Sequence, residues 1–331
     1  MKIGLTLGKY SPLHQGHQLV IETALREMDR VYVLVYESRE TTRIPLKKRA
    51  DWVRRLYPQV TVIEGHDSPT DVGYTPEVIS IQDNYIRSRA ANFGITHFYS
   101  SEPYGDHVSK ALNAVNRQVD IDRNLIPISG TEIRKNPLQA SRFIAREVYS
   151  DLITNVVFVG APSTGKTSIA QFLAADMNTV WMPEYGKEYW EKNQKNHRLD
   201  LNQLVEIARG HLEREKDVIL RARDFLFSDT NVLTTRIFSY YYHGSAADEL
   251  ERLADEHAGR YDLWFLCDTD IPYEDTWDRS GAASRDVMQK MIVEDLESRQ
   301  IPFQVLRGSI QQRADQVKSL IFSHKKFPDL T

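Results

Sequence analysis

Short apolar runs alternate along the whole chain with longer stretches in which apolar residues recur every three or four positions. The runs Lys2–Leu7, Arg30–Tyr36, Val60–Glu64, His97–Ser100 and Leu125–Ile128 read as strands. Between them, Gln15–Met28, Lys47–Leu56 and Glu77–Phe93 carry helical periodicity. A second series places strands at Asn155–Val159, Phe225–Ser228, Leu263–Cys267 and Phe303–Leu306. Its helices are Lys166–Asp176, Leu201–Arg223 and Arg285–Arg299. This alternation predicts α/β architecture with mostly parallel sheets and helices on both faces. The junction falls between Pro137 and Thr154, so two domains are expected, 1–150 and 151–331. No internal repeat is evident.

Composition narrows the picture. The chain has 331 residues, 41% apolar and 27% charged, enough for two buried cores. Its formal net charge of −4 argues against nucleic-acid binding by bulk charge. A polyanionic ligand must be held by local basic groups. The single cysteine, Cys267, lies in an apolar run and reads as a reduced core residue. It excludes a disulfide framework and a cysteine-based zinc site. There is no signal peptide and no apolar stretch long enough for a bilayer, so a cytoplasmic protein without membrane insertion is expected. The oligomeric state, a homo-oligomer included, stays open.

The first chemistry-bearing string is GKYSPLHQGH, Gly8 to His17, directly after the first strand. Ligands of open α/β sheets bind beyond the carboxyl ends of the strands. Gly8 permits close backbone approach, with Lys9 and Tyr10 beside it in the exit loop. Pro12 stiffens the loop. His14 and His17 fall one turn apart on a starting helix, with Gly16 leaving space beside them. The arrangement suits an anion held against imidazoles, with a nucleotide triphosphate as the natural candidate. H-x-G-H alone recurs by chance; its place after the first strand makes it functional.

The second string is GAPSTGKT, Gly160 to Thr167, which matches G-x-x-x-x-G-K-[ST] between a strand and a helix. Backbone N–H groups of Gly160, Ala161, Pro162–Gly165 and the helix start at Ser168 cradle phosphates, Pro162 lacking one. Ser163 and Thr164 belong to this loop. Lys166 supplies charge and Thr167 a hydroxyl for Mg²⁺. Asp229 ends an apolar strand and is expected to hold the metal shell or take the substrate proton. Asp268 and Asp270 are the runner-up pair. Arg279 and Arg285 lie in a Gly/Ala/Ser-rich stretch that suits a lid over ATP. Glu184 is a candidate ribose contact and Tyr242 a candidate stacking residue for a cationic ring. Glu184 and Asp229 are both candidates for the general base.

The first string resembles the nucleotidyltransferase superfamily that carries H-x-G-H. That family's second signature, I-S-x-T-x-x-R, is matched by ISGTEIR, Ile128 to Arg134. The resemblance implies adenylyl transfer from ATP, with pyrophosphate leaving. It places His14 and His17 on the α- and β-phosphates and Arg134, Ser129 and Thr131 on the pyrophosphate. Mg²⁺ is implied between phosphates. Arg49 on a basic helix, Ser101 and Glu102 in YSSEPYGDH, and Arg123 in VDIDR are candidate substrate contacts, while Lys47 and Lys48 read as a solvated face.

The order of the two motif sets is similar to that of bifunctional nicotinamide-nucleotide adenylyltransferase/ribosylnicotinamide kinases of the NadR type. PEYGKEY, ARGH from Ala208 and SDTNVLTT extend the resemblance over nearly the whole chain. It implies an N-terminal Rossmann-like nucleotidyltransferase domain followed by a P-loop kinase domain. It implies ATP, nicotinamide riboside, nicotinamide mononucleotide (NMN) and NAD as small-molecule partners. Ala161-Pro162 and the Ala-rich lid depart from the family's pattern. Some members begin with a DNA-binding helix-turn-helix; this chain starts at the first strand, so repression by that route is not expected. Alternatives are a nucleotidyltransferase for another phosphorylated substrate, such as phosphopantetheine, fused to a different kinase, and a nucleotide-sensing regulator.

Overall fold

The apolar run at the amino terminus forms β1 (Ile3–Gly8), whose last five residues are all buried. A strand hidden on both faces needs strands at both edges and helices above and below. The computed structural model, which describes residues 1–71, 73–194, 198–273 and 282–327, supplies both. It falls into two units, Met1–Tyr149 with Phe327, and Ser150–Lys326. After β1 come α1 (Gln15–Glu27), β2 (Arg30–Tyr36), α2 (Leu46–Leu56), β3 (Thr61–Gly65) and α3 (Pro76–Ala90). There follow β4 (His97–Ser100), α4 (Gly105–Ala111), β5 (Val115–Gln118) and α5 (Gly130–Lys135). The sheet order is β3-β2-β1-β4-β5 with parallel pairings. Strand order reverses at β1, between β2 and β4, and opens a crevice at their carboxyl ends.

A short helix, α6 (Arg146–Leu152), precedes β6 (Thr154–Val159). The second unit continues with α7 (Lys166–Asp176), β7 (Val180–Met182), α8 (Tyr185–Asn193), α9 (Leu201–Val218) and β8 (Phe225–Asp229). It ends with α10 (Val232–His243), α11 (Asp248–Ala258), β9 (Leu263–Cys267), α12 (Ala282–Ser298), β10 (Gln304–Leu306) and α13 (Ile310–Ile321). The order is β10-β9-β6-β8-β7, again with parallel pairings. All six residues of β6 are buried. Successive side chains alternate between faces. Val157 and Val159 pack with Leu204, Ile237 and Leu253, whereas Val156 and Phe158 pack with Leu173, Phe227 and Val317. Among the described residues no helix is long and apolar enough to cross a membrane.

Two strands differ from the sequence reading. Leu125–Ile128 is not a strand: it is a loop in which the Leu125 and Ile126 amides donate to the Asp120 carboxylate at 2.9 Å. The fifth strand is Val115–Gln118, an edge strand of alternating exposure and mostly polar composition that carries no apolar signal. Three-residue β7 was likewise beneath the pattern. The helix expected over Leu201–Arg223 gives way after Val218 to a tight turn at Ile219–Arg221.

Arg49, expected to meet substrate, is a structural residue. It is fully buried on α2. Its Nε donates to the Ile44 carbonyl at 2.9 Å, and Nη1 donates to those of Lys9 at 2.6 Å and Tyr36 at 2.8 Å. Nη2 pairs with Glu37 at 3.0 Å. The planar fork ties the ends of β1 and β2 to α2, and its hydrogen bonds are spent there. Arg49→Met strands three carbonyls and a carboxylate. Denaturant unfolding should show the N-terminal unit's transition weakened by ~3–5 kcal/mol in the ligand-free chain. An unchanged transition would return Arg49 to the list of ligand contacts.

Candidate active sites

At the exit of β1, Tyr10 takes a left-handed conformation (φ +50°) and the chain turns through a cis Ser11–Pro12 bond into α1. His14 is the N-cap of that helix, and its Nδ1 accepts the Gly16 amide at 3.1 Å. His17 Nδ1 accepts the His14 amide at 3.4 Å. The rings lie 3.8 Å apart, centroid to centroid, and Tyr10 packs on His17 at 4.8 Å. An imidazole whose Nδ1 accepts a hydrogen bond carries its proton on Nε2. The H-x-G-H spacing therefore builds two adjacent Nε2–H donors. Burial, with Arg123 and Arg134 adding to it, lowers the pKa of His14 to about 4. His17 is held well below the usual histidine range by burial, then by His14 and the same arginines. Both rings are neutral near pH 7, and the arginines carry the charge.

The second signature folds onto the first. Arg134 Nη1 donates to the Ser11 carbonyl at 2.8 Å, 123 residues away in sequence. A Cβ on Gly130 would lie 3.3 Å from Arg134 Nη1 and 3.8 Å from His14 Nε2, so α5 starts against the histidines. Ser129 and Thr131, candidate pyrophosphate contacts, hold internal partners. Ser129 Oγ accepts the Glu132 amide at 3.2 Å while the Ser129 amide donates to the Glu132 carboxylate at 2.8 Å, a reciprocal cap. Thr131 Oγ1 accepts from Arg134 Nη2 at 3.0 Å. Their hydroxyls fix the helix start and the arginine. Arg123, in a left-handed conformation, pairs with Glu102 at 3.1 Å and acts on both histidines. Half-buried Ser101 directly follows β4. Lys9 Nζ reaches Thr41 Oγ1 at 2.7 Å, and its charge is felt with those of Arg134 and Arg49.

In the second unit the phosphate-loop string leaves β6 through Gly160, at φ +144°. A Cβ there would come within 2.7 Å of the Cys267 carbonyl, so only glycine fits. Lys166 Nζ rests on the Gly160 and Ala161 carbonyls, both at 2.9 Å. Thr164 Oγ1 donates to the Ala161 carbonyl at 2.8 Å. Thr167 Oγ1 donates to Asp229 Oδ2 at 2.5 Å. Asp229 is fully buried and its Oδ1 has no hydrogen-bond partner among the described residues. Burial pushes its carboxyl up, against Lys166, Thr167 and Lys187. The runner-up pair is engaged elsewhere: Asp268 pairs with Arg307 at 2.6 Å and Asp270 with Arg313.

Arg285 is not in a lid. It sits on α12, nearly buried, and its Nη2 donates to the Ser163 carbonyl at 3.1 Å and the Ile271 carbonyl at 2.9 Å. It braces the loop from behind, as do Gln289, which accepts the Ala161 amide at 2.8 Å, and Arg313, which donates to the Thr164 carbonyl at 2.6 Å. Arg279 lies outside the described residues.

A cavity of about 550 Å³ opens before the loop, lined by Pro162–Ser168, Glu184 and Tyr242 together. Phe238, one turn before Tyr242, stacks on it at 6.3 Å. Trp190, which the sequence offers with Tyr185 and Tyr189 as stacking or core aromatics, lines it too, as do Lys187, His211, Thr234 and Thr235, which were not assigned from sequence. Helical spacing was the available signal: Lys187 and Trp190, Leu204–Ile207–His211, and Thr234–Phe238–Tyr242 each repeat on one helix face.

Comparison with known proteins agrees with this division. Residues 5–136 match the cytidylyltransferase-like family and residues 155–313 the AAA domain family. The trifunctional NAD biosynthesis/regulator protein NadR of Salmonella typhimurium is 27% identical over 91% of this chain and 78% of its own length. Its Escherichia coli counterpart stands at the same values. A probable nicotinate-nucleotide adenylyltransferase of Thermotoga petrophila is 24% identical over 40% of this chain and 84% of its own. Crystal structures of a NadR protein with NAD and AMP-PNP, and with NR, each superpose with a TM-score of 0.56 at 21% identity. They cover 98% of this chain and 96% of theirs, and share its fold.

The depressed His14 pKa sets a pH dependence. Above pH 6.5 neither the folded nor the unfolded chain protonates this ring. As pH falls from 6.5 toward about 4, the unfolded chain binds a proton that the folded one refuses, and stability is lost. His14→Asn, which keeps the cap, should flatten this decline by on the order of 1 kcal/mol per pH unit. Melts of both proteins at pH 4.5–7 check it; parallel curves would contradict a neutral, buried His14.

Proposed function

We infer that this chain is a bifunctional NAD-synthesising enzyme of the NadR type, an NMN adenylyltransferase joined to a ribosylnicotinamide kinase. The observation that carries the reading is the presence in one chain of two different phosphate cradles. One is the paired Nε2–H donors of His14 and His17 beside Arg134 and Arg123. The other is the loop Gly160–Thr167 with Lys166 and Asp229 before a cavity of about 550 Å³. The likeness to NadR proteins, over 91% of this chain and 78% of theirs, supports the pairing.

In the kinase reaction, the 5′-hydroxyl of nicotinamide riboside attacks the γ-phosphorus of ATP. A P–O bond forms, ADP leaves and the hydroxyl proton passes to a base. Asp229 is already engaged with Thr167 and is sealed from solvent, which favours a metal-holding role for it. Glu184 lines the cavity at the start of α8 and is the better base. The buried, unpartnered Oδ1 of Asp229 and the Thr167 hydroxyl fit Mg²⁺, which would offset phosphate charge. Lys166 exchanges its two carbonyl partners for phosphate oxygens, and the Tyr242–Phe238 pair offers a face to the cationic ring.

In the adenylyl transfer, an NMN phosphate oxygen attacks the α-phosphorus of a second ATP, the α–β bridge breaks and pyrophosphate leaves. The nucleophile is already an anion, so no protein base is needed. Charge on the non-bridging oxygens rises in the transition state, and donors fixed in advance stabilise it without reorganising. His14 and His17 supply such donors, and Arg134 faces the leaving group.

The two activities should therefore separate. His17→Ala should lower NAD formation from NMN and ATP by about 10²–10³-fold, the usual cost of one such donor, and spare riboside phosphorylation. Lys166→Ala should do the reverse. Each reaction is measured alone, by NAD and by NMN formed. Loss of both from either substitution would overturn the two-site reading.

A further inference from the structure

One charged side chain on the kinase cavity has no part in the chemistry above. Arg198 is exposed yet lines the cavity, and its guanidinium has no ion-pair or hydrogen-bond partner among the described residues. Other arginines close by in the fold are committed: Arg209, Arg214 and Arg236 hold Glu249, Glu188 and Asp295. An uncommitted guanidinium on a pocket wall is a ready partner for an anion that the ligand itself brings.

The cavity has a phosphate end and a ring end. At the first stand the loop Ser163–Thr167, Lys187, whose charge acts on Asp229, and Thr234, which follows Asp229 at the start of α10. From there α8 leads from Lys187 to Trp190, and α10 leads from Thr234 to Tyr242, about 12 Å along its axis. Arg198 belongs to the second end. The Leu199 carbonyl meets His243 Nε2 at 2.9 Å, and the residues next to that contact in the chain are Arg198 and Tyr242. Glu184, the one acid among the lining residues described, stands a turn before Lys187 and so at the phosphate end. No carboxylate of the lining stands with Arg198 at the ring end.

We propose that the kinase site also phosphorylates a pyridinium riboside whose ring carries a carboxylate in place of the carboxamide, and that Arg198 is the specificity residue that pairs with this carboxylate. The inference rests on the kinase assignment above. With the carboxamide, the ring is a plain cation, and Arg198 beside it is a like charge offset only by the aromatic faces of Tyr242 and Trp190. With the carboxylate, the ring is a zwitterion: the aromatic faces take the cationic ring and the planar fork takes the two carboxylate oxygens. The reaction is otherwise the one already given. The 5′-hydroxyl attacks the γ-phosphorus of ATP, the bond from that phosphorus to the β–γ bridging oxygen breaks, ADP leaves and the hydroxyl proton passes to Glu184. The carboxylate takes no part in the bond changes, so Arg198 acts on which riboside is held and not on the chemical step.

The test compares two substrates on the full chain, nicotinamide riboside and nicotinic acid riboside, with phosphorylation measured as kcat/KM for each. The proteins are the unaltered chain, Arg198→Gln and Arg198→Lys; the residue is exposed and holds no internal partner, so neither change removes a contact of the fold. The unaltered protein should phosphorylate the acid with kcat/KM within about 10-fold of the amide. In Arg198→Gln the ratio of acid to amide should fall by about 10–100-fold, the usual worth of a hydrogen bond to a charged group, and the fall should lie in KM. Arg198→Lys, which keeps the charge and loses the fork, should fall between the two. If the unaltered protein rejects the acid by more than about 100-fold, or if Arg198→Gln leaves the ratio where it was, the proposal is wrong. If the unaltered protein phosphorylates neither riboside, the kinase assignment itself falls and this inference falls with it.

Discussion

Burial of the central strand is the constraint on which each unit depends. β1 and β6 are enclosed by neighbouring strands on both sides and by apolar side chains from helices above and below. Their backbone groups are consumed in the sheet, and the chain can meet a ligand only where it leaves the strand. Both central strands exit at a reversal of strand order, so the exit loop faces a crevice rather than a neighbouring connection. Gly160 shows how tight the exit is, since a single added carbon would collide with the carbonyl of Cys267 on the adjacent strand.

On the proposed function, the two exits hold phosphate by different means because their local chemistry differs. At β6 the loop offers main-chain amides and Lys166 to an anion. At β1 the chain continues through Pro12 into a helix capped by His14, and side-chain donors do the work. Keeping both histidines neutral avoids crowding cations together: positive charge is left to Arg123 and Arg134, which the protein holds with Glu102 and the Ser11 carbonyl. In each site the functional groups rest on internal partners that an incoming phosphate can replace. Lys166 lies on loop carbonyls, and Asp229 keeps one oxygen unpaired. The sites are thus organised before ligand arrives, which is what stabilising a short-lived charge requires.

Arginine serves structure as much as chemistry here. Arg49, Arg285 and Arg313 all stand near phosphate-binding loops, yet each directs its planar fork at backbone carbonyls. Exit loops present carbonyls that no sheet partner takes. A rigid, always charged donor with five hydrogens satisfies several at once, which a lysine cannot do. These residues set the loop geometry from behind while others face the ligand.

What the sequence determined by itself was short-range. Strand and helix periodicity disclosed the two parallel sheets, and fixed spacings disclosed both cradles, because residues within a turn of one another take their geometry from the local backbone. Glu184 and Tyr242, both sequence candidates, line the same cavity, Tyr242 having been singled out by its place after the Asp229 segment. What only the tertiary structure decided was long-range. Val115–Gln118 became the fifth strand in place of Leu125–Ile128 because hydrogen bonding to β4 outweighed apolar character. Arg49 and Arg285 became braces because carbonyls distant in sequence reached them. Burial and hydrogen-bond partnership depend on which remote segments meet, and no local spacing encodes that.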